Sequence, residues 1–248
     1  MLGDCLERMK EIDSGTVDMI LCDLPYGTTC CSWDAVIPFE QLWSEYERVI
    51  KENGAIVLFG AQPFTAVLAC SNLKLFRYEW IWEKSSATGF MNAKKQPLRA
   101  HENVLVFYKS QPTYNPQKTY GHERKTAKRK DIGSEHYGKQ LKTQAYDSTE
   151  RYPRSVQLFS SDKQKQAFHP TQKPVALCEL LIRTYTNQGD LVLDNCMGSG
   201  SIGVACVNTG RHFIGIEQEE KYFEVAQERI ALAGTEKDRQ PDLFGGAA

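Results

Sequence analysis

The chain has 248 residues, 41% hydrophobic and 25% charged, with a formal net charge of −1; this fits one soluble α/β domain with an insert, or two small domains. No apolar run approaches the ~20 residues that span a bilayer, and the opening MLGDCLERMKEID lacks the layout of an export signal, so a cytoplasmic location with reduced thiols is expected. The eight cysteines contain no C-x-x-C pair to begin a zinc site, and Cys22, Cys196 and Cys206 read as small buried hydrophobes. In chain order, VDMILCD (17–23) is a short apolar run that delivers a carboxylate at its end, the pattern of a buried strand. FEQLWSEYERVIK (39–51) sets Phe39, Leu42, Trp43, Tyr46, Val49 and Ile50 on one helical face. GAIVLFG (54–60), YEWIWEK (78–84) and NVLVFYK (103–109) follow as strand candidates.

From residue 109 the character changes. Lys109 to Lys165 carry 13 Lys+Arg against 6 Asp+Glu, net +7, leaving 17 against 25 elsewhere, net −8. The stretch is too long and aperiodic for a routine connection, and it interleaves Tyr114, Tyr120, Tyr137, Tyr146 and Tyr152 with basic residues. That mixture suits phosphates and stacked bases, although a solvated basic loop has the same composition. Regular structure resumes with a helix over 174–186, Pro174 in its first turn. A strand (190–196), a helix (201–210), a strand (212–217) and a helix (220–233) follow, then the tail 236–248, read as a frayed terminus. Strands alternating with helices predict a mostly parallel twisted sheet with helices on both faces.

Three segments carry chemistry. Asp194-Asn-Cys-Met-Gly198-Ser-Gly200 is a glycine turn between strand and helix, and Glu217 ends the next strand 23 residues later. That layout suits close approach of a nucleotide-like ligand whose ribose diol needs an acid; alone it does not choose between NAD and S-adenosylmethionine. Asp23-Leu24-Pro25-Tyr26-Gly27 follows a buried strand; a turn needs no aromatic there, so Tyr26 beside Asp23 is informative. His169-Pro-Thr-Gln-Lys173-Pro174 opens a helix and, taken alone, is a helix entry with a loop histidine.

Together, in this order, the segments resemble the β class of DNA amino-methyltransferases, whose motifs are circularly permuted: an Asp/Ser/Asn-Pro-Pro-Tyr tetrapeptide, a target-recognition insert, His-Pro-Thr-Gln-Lys-Pro, then a Gly-x-Gly cofactor loop. Gly3-Asp4-Cys-Leu-Glu7 and His101-Glu102-Asn103 also look like family segments. The resemblance covers nearly the whole chain. It implies a Rossmann-like methyltransferase fold, with a catalytic half at 1–108, a target-recognition insert at 109–168 and a cofactor-binding half at 169–235. It further implies S-adenosylmethionine as cofactor, held by Asp4, Cys5, Asp23, Thr171, Gln172, Lys173, Asp194, Asn195, Met197, Gly198, Ser199, Gly200, Glu217 and Gln218. Within that set Asp4 takes the cofactor's adenine amino group, Glu217 its ribose hydroxyls and Asp194 its methionine part. Asp23, Leu24, Pro25 and Tyr26 would be catalytic. Asp23 and the Leu24 carbonyl accept hydrogen bonds from the target amino group, and Tyr26 stacks on a base that has left the duplex. Cys30 and Cys31 lie near this loop and are incidental to N-methylation.

The implied reaction is direct methyl transfer to N6 of adenine in double-stranded DNA, with Lys125, Arg129, Lys130 and Arg154 as candidate DNA contacts. A homodimer and a cognate restriction endonuclease are compatible partners that no residue requires. Asp as first residue of the tetrapeptide leans towards adenine over N4 of cytosine. Two departures stand out: Leu24 replaces a proline, and Asn195-Cys196-Met197 replaces the usual Pro-Phe-x. They are the only support for a relative that binds nucleic acid without catalysis. Methylation of RNA or protein is disfavoured by the motif order and the basic insert.

Overall fold

The computed structural model describes residues 1–27, 34–127, 146–160 and 172–239, with side chains of the last helix described to residue 235. Cys30, Cys31, Arg129, Lys130, Tyr137, His169 and Thr171 lie outside the described residues.

The main unit comprises Met1–Asn115 and Ser155–Ala248. Its centre is β1 (Val17–Cys22), in which Val17 and Met19 to Cys22 are fully buried. A strand buried on both faces is what a helix-covered parallel sheet demands, and an unbroken apolar run supplies it. Side chains alternate across the pleat. Ile20 and Cys22 face a core with Leu42, Trp43 and Tyr46 of α2 (Phe39–Val49) and Phe64 and Leu68 of α3 (Phe64–Ser71). Met19 and Leu21 face a second core with Leu177 and Leu181 of α4 (Val175–Tyr185) and Ile202 and Ala205 of α5 (Ser201–Thr209).

The other strands are β2 (Ile50–Gly60), β3 (Phe76–Thr88), β4 (Arg99–Phe107), β7 (Val156–Phe159), β8 (Leu191–Asp194) and β9 (His212–Gly215), in the order β7-β3-β4-β2-β1-β8-β9. Six run parallel; β4 alone is antiparallel, pairing with both β2 and β3. The expected mostly parallel sheet is therefore present with one reversed strand, because β3 and β4 form a hairpin where the other described neighbours are joined by crossovers. Two short α-helices were not expected: α1 (Cys5–Met9) and α3. Neither is long enough to show a sustained apolar period. Pro174 is the cap before α4, not its first helical residue, since its ψ of 127° is extended. The last helix, α6 (Glu220–Arg239), runs past the expected end at 233 into the segment read as a tail.

The segment before α1 lies beside β9: Gly3 N–H donates to the Glu217 carbonyl (2.9 Å), and Glu217 N–H to the Met1 carbonyl (3.1 Å). The N-terminal motif thereby reaches the strands that carry the glycine turn and Glu217, far from it in sequence.

The second unit, Pro116–Arg154, contains the antiparallel pair β5 (Lys125–Ala127) and β6 (Tyr146–Ser148). Several of its basic side chains are engaged internally. Arg124 makes a two-pronged contact with Asp147 (2.7 and 2.6 Å), and Lys118 pairs with Glu150 at 2.7 Å, 4.9 Å from the centre of the Tyr152 ring. Lys125 is exposed on β5. Val156–Phe159, within the stretch whose composition marked it as insert, belongs to the main sheet as β7.

Candidate active site

Three strand ends converge at the carboxyl edge of the sheet, where folds of this type place their ligands. Asp23 follows β1, Asp194 ends β8 and Glu217 lies just past β9. All three line one cavity of about 610 Å³, within the range of small-molecule sites, roughly 300–1,000 Å³.

Asp23 is gripped from two sides. Tyr26 donates its hydroxyl to Oδ1 (2.8 Å), and Lys173 Nζ lies 2.5 Å from Oδ2. Lys173 is buried and also lies 3.3 Å from Glu102 Oε2, an ion-pair contact without hydrogen-bond geometry; Glu102 Oε1 accepts from Lys84 Nζ at 2.6 Å. The result is a chain of alternating charge, Asp23–Lys173–Glu102–Lys84, balanced overall. Four largely buried charges are tolerable only in such an arrangement, because each has an opposite neighbour to offset its lost hydration. Burial raises Asp23 above its usual range, with Glu102 adding to the effect and Lys173 and Tyr26 opposing it. Burial would also raise Glu102, but Lys173 and Lys84 outweigh it and hold that carboxyl low. For Lys173 burial lowers and the two carboxylates raise, and the carboxylates prevail.

Tyr26 stacks on Phe64, with ring centres 5.0 Å apart and planes at 25°, so one side of its ring is backed by α3. Leu24, the residue in place of proline, buries its side chain in the first core at 4% exposure. Packing restrains a backbone that proline would have restrained covalently. Pro25 lines the cavity as well.

Beside the glycine turn, Asp194 Oδ1 accepts from the Cys196 N–H at 3.1 Å, and burial pushes its carboxyl up to about 7. Glu217 takes Gly198 N–H on Oε2 (2.9 Å) and Glu219 N–H on Oε1 (2.8 Å), which fixes its carboxylate under the glycine turn. Asp4 caps α1, its Oδ1 accepting from Leu6 N–H and Glu7 N–H. Cys5, Gln172, Ser199 and Gln218 also line the cavity. Ser199 is tied to Arg229 of α6 through its hydroxyl at 2.9 Å.

The unusual Asn195-Cys196-Met197 turn has its own packing. Asn195 Oδ1 accepts the Tyr46 hydroxyl at 2.6 Å, anchoring the loop to α2, and Met197 covers Gly215, where an added Cβ would sit 2.3 Å from its sulfur. Cys196, read as a buried hydrophobe, is half-buried and lines the cavity, because it follows the strand end; Cys22 and Cys206 are buried. Gly200 is not on the cavity wall. Its φ is +77°, and an added Cβ would meet Ala226 of α6 at 2.9 Å, so helix packing accounts for this glycine.

Reasoning from sequence gave no role to Glu102, Lys84, Phe64 or Ser201. Glu102 had a signal: an acid where an otherwise apolar strand approaches the ligand edge. Ser201 Oγ and Gln172 Oε1, both buried on the cavity wall, have no hydrogen-bond partner among the described residues. A polar ligand would satisfy them. Of the expected DNA contacts, Lys125 and Arg154 belong to the second unit and are not part of this cavity.

A family described as DNA methylase, covering N6 and N4 amino-methyltransferases, matches residues 17–228. This chain belongs to that family. Among relatives of the methylase, Type II methyltransferase M.HpaI of Haemophilus parainfluenzae is 27% identical over 246 residues, covering 92% of this chain and 72% of its own. DNA adenine methyltransferase YhdJ of Escherichia coli (strain K12) is 27% identical over 251 residues, covering 93% and 82%. The structure of the methylase resembles that of M1.HpyAVI in complex with S-adenosylmethionine, with a TM-score of 0.64, 26% identity, and coverage of 92% of this chain and 97% of the other. No helix among the described residues of the methylase is long and apolar enough to cross a membrane.

Proposed function

We propose that this methylase transfers a methyl group from S-adenosylmethionine to N6 of an adenine flipped out of duplex DNA, without a covalent enzyme intermediate. One observation carries the reading: Asp23 and Tyr26 share a single cavity with Asp194, Gly198 and Glu217. The cofactor fits the residues present. Glu217 is an acceptor for ribose hydroxyls, Asp4 for the cofactor's adenine amino group and Asp194 for its positively charged end, while Gln172 and Ser201 offer buried polar atoms lacking partners. Thr171 completes this set in the reading. When bound, S-adenosylmethionine supplies an electrophilic methyl on a sulfonium sulfur, taken by the amino nitrogen of the base.

The chain's own residues prepare that nitrogen. Its lone pair is delocalised into the ring, and acceptors for its hydrogens favour the pyramidal form needed for attack. Asp23 is one acceptor: each of its oxygens holds one partner, and each can accept a second. The main-chain carbonyl of Leu24 is the other, Tyr26 stacks on the base, and the Asp23 carboxylate takes the proton the amino group sheds. The setting is a cytoplasmic enzyme on double-stranded DNA, with Lys125 and Arg154, both exposed, and Arg129 and Lys130 of the insert on phosphates or base edges. A homodimer and a cognate endonuclease are compatible with it.

The test is methylation of DNA from a methylation-free host, followed by digestion and mass spectrometry of the nucleosides. N6-methyladenine is expected. Asp23→Ala should lower the rate about 100-fold or more, the loss typical of a group that stabilises the transition state. N4-methylcytosine would reassign the base. A wild type that binds the cofactor but methylates no DNA would favour nucleic-acid binding without catalysis.

A further inference from the structure

The β3–β4 hairpin carries exposed chemistry that the cavity does not use. Because β4 is antiparallel to both β2 and β3, β3 runs in the same direction as β1, and its carboxyl end lies on the ligand edge. Between the pairs Glu83–His101 and Thr88–Arg99, β3 advances five residues while β4 advances two. The excess forms a bulge, a device that re-aims side chains, and Ser86, Ala87 and Thr88 of this stretch line the cavity beside Lys84 and Trp82. Beyond them, Phe90 is 83% and Met91 99% exposed, the two most exposed large hydrophobic side chains among the described residues. Single exposed apolar residues are ordinary; an adjacent aromatic–thioether pair at the tip of a hairpin is not. The same hairpin holds Lys94 and Lys95 in its turn and Arg99 at the start of β4, all exposed, with no Asp or Glu from 85 to 101 and no ion pair to another described residue.

We propose that this hairpin is a second DNA-contacting element, in which Phe90 and Met91 enter the duplex at the position vacated by the target base. Lys94, Lys95 and Arg99 hold the flanking phosphates. Apolar wedges flanked by cations are how proteins stabilise unstacked duplex, and the chemistry at Asp23 needs its base outside the stack. The inference rests on the methyl-transfer reading above and adds residues outside the basic insert.

Once the modified site is located by sequencing, two oligonucleotide duplexes carrying it separate the possibilities: one fully paired, one with an abasic position opposite the target adenine. Phe90→Ala/Met91→Ala should methylate the paired duplex at least about tenfold more slowly, since the cost of extruding a paired base is no longer offset. On the abasic duplex it should approach the wild-type rate, with cofactor affinity and melting temperature unchanged. Lys94→Ala/Lys95→Ala/Arg99→Ala should weaken DNA binding and flatten the salt dependence by about two to three phosphate contacts. An unchanged rate on paired DNA, or equal losses on both duplexes, would overturn the wedge; an unchanged salt slope would overturn the phosphate contacts. Absence of methyl transfer by the wild type would instead overturn the methyl-transfer reading itself.

Discussion

In the proposed reaction the buried Asp23 carboxylate must stay ionised, and the charges around it decide whether it does. Burial and Glu102 push its pKa up, and Lys173 pulls it down. Lys173→Met removes the cation that favours the carboxylate, so the acid limb of the pH–rate profile should move to higher pH. Glu102→Gln removes a neighbouring negative charge, so the same limb should move to lower pH. Steady-state rates measured across pH for both variants check the pair, and shifts in the same direction would contradict the assignment. Asp194 poses the opposite problem. Its folded pKa of about 7 lies above the roughly 3.9 of an unfolded aspartate. The stability linked to its neutral form is therefore fully present below the unfolded value and lost as pH rises through about 7. Asp194→Asn keeps an acceptor for the Cys196 N–H and removes the buried charge. Its melting temperature should exceed the wild type's at pH 8 but not at pH 4, while cofactor affinity falls; calorimetry reads both.

Among the elements, the turn from β8 into α5 shows how two glycines in one motif serve different ends. Gly198 donates its N–H to Glu217 and lines the cavity, whereas Gly200 combines a left-handed φ with close packing on α6. Gly200→Ala should cost about 1–3 kcal/mol through strain and overpacking, read as a lower denaturation midpoint. Gly-x-Gly was plain in the sequence, but which glycine lines the cavity and which meets a helix was not, because α6 begins 20 residues after Gly200 in the chain. Most strands and helices were legible from apolar periodicity. The missed α1 and α3 are short, and the reversal of β4 leaves no local mark, since an apolar run reads alike in both directions.

For the molecule as a whole, the described residues that line the cavity all belong to the main unit. Replacing Pro116–Arg154 by a flexible Gly/Ser linker should leave S-adenosylmethionine affinity within a few-fold of the intact chain by calorimetry. Methylation of the recognised site should be lost, because base-edge contacts carry specificity. Loss of cofactor affinity in that variant would show that the second unit supports the site.

The tetrapeptide, the glycine turn and the acid after the next strand were determined by sequence alone, because each is local and its spacing follows from the length of one strand or helix. The partners of Asp23 were decided by tertiary structure. Lys173 is 150 residues away in the chain, and Glu102 and Lys84 come from a hairpin whose placement depends on strand order. Coulomb interactions and hydrogen bonds depend on distance in space, and only the assembled sheet sets those distances.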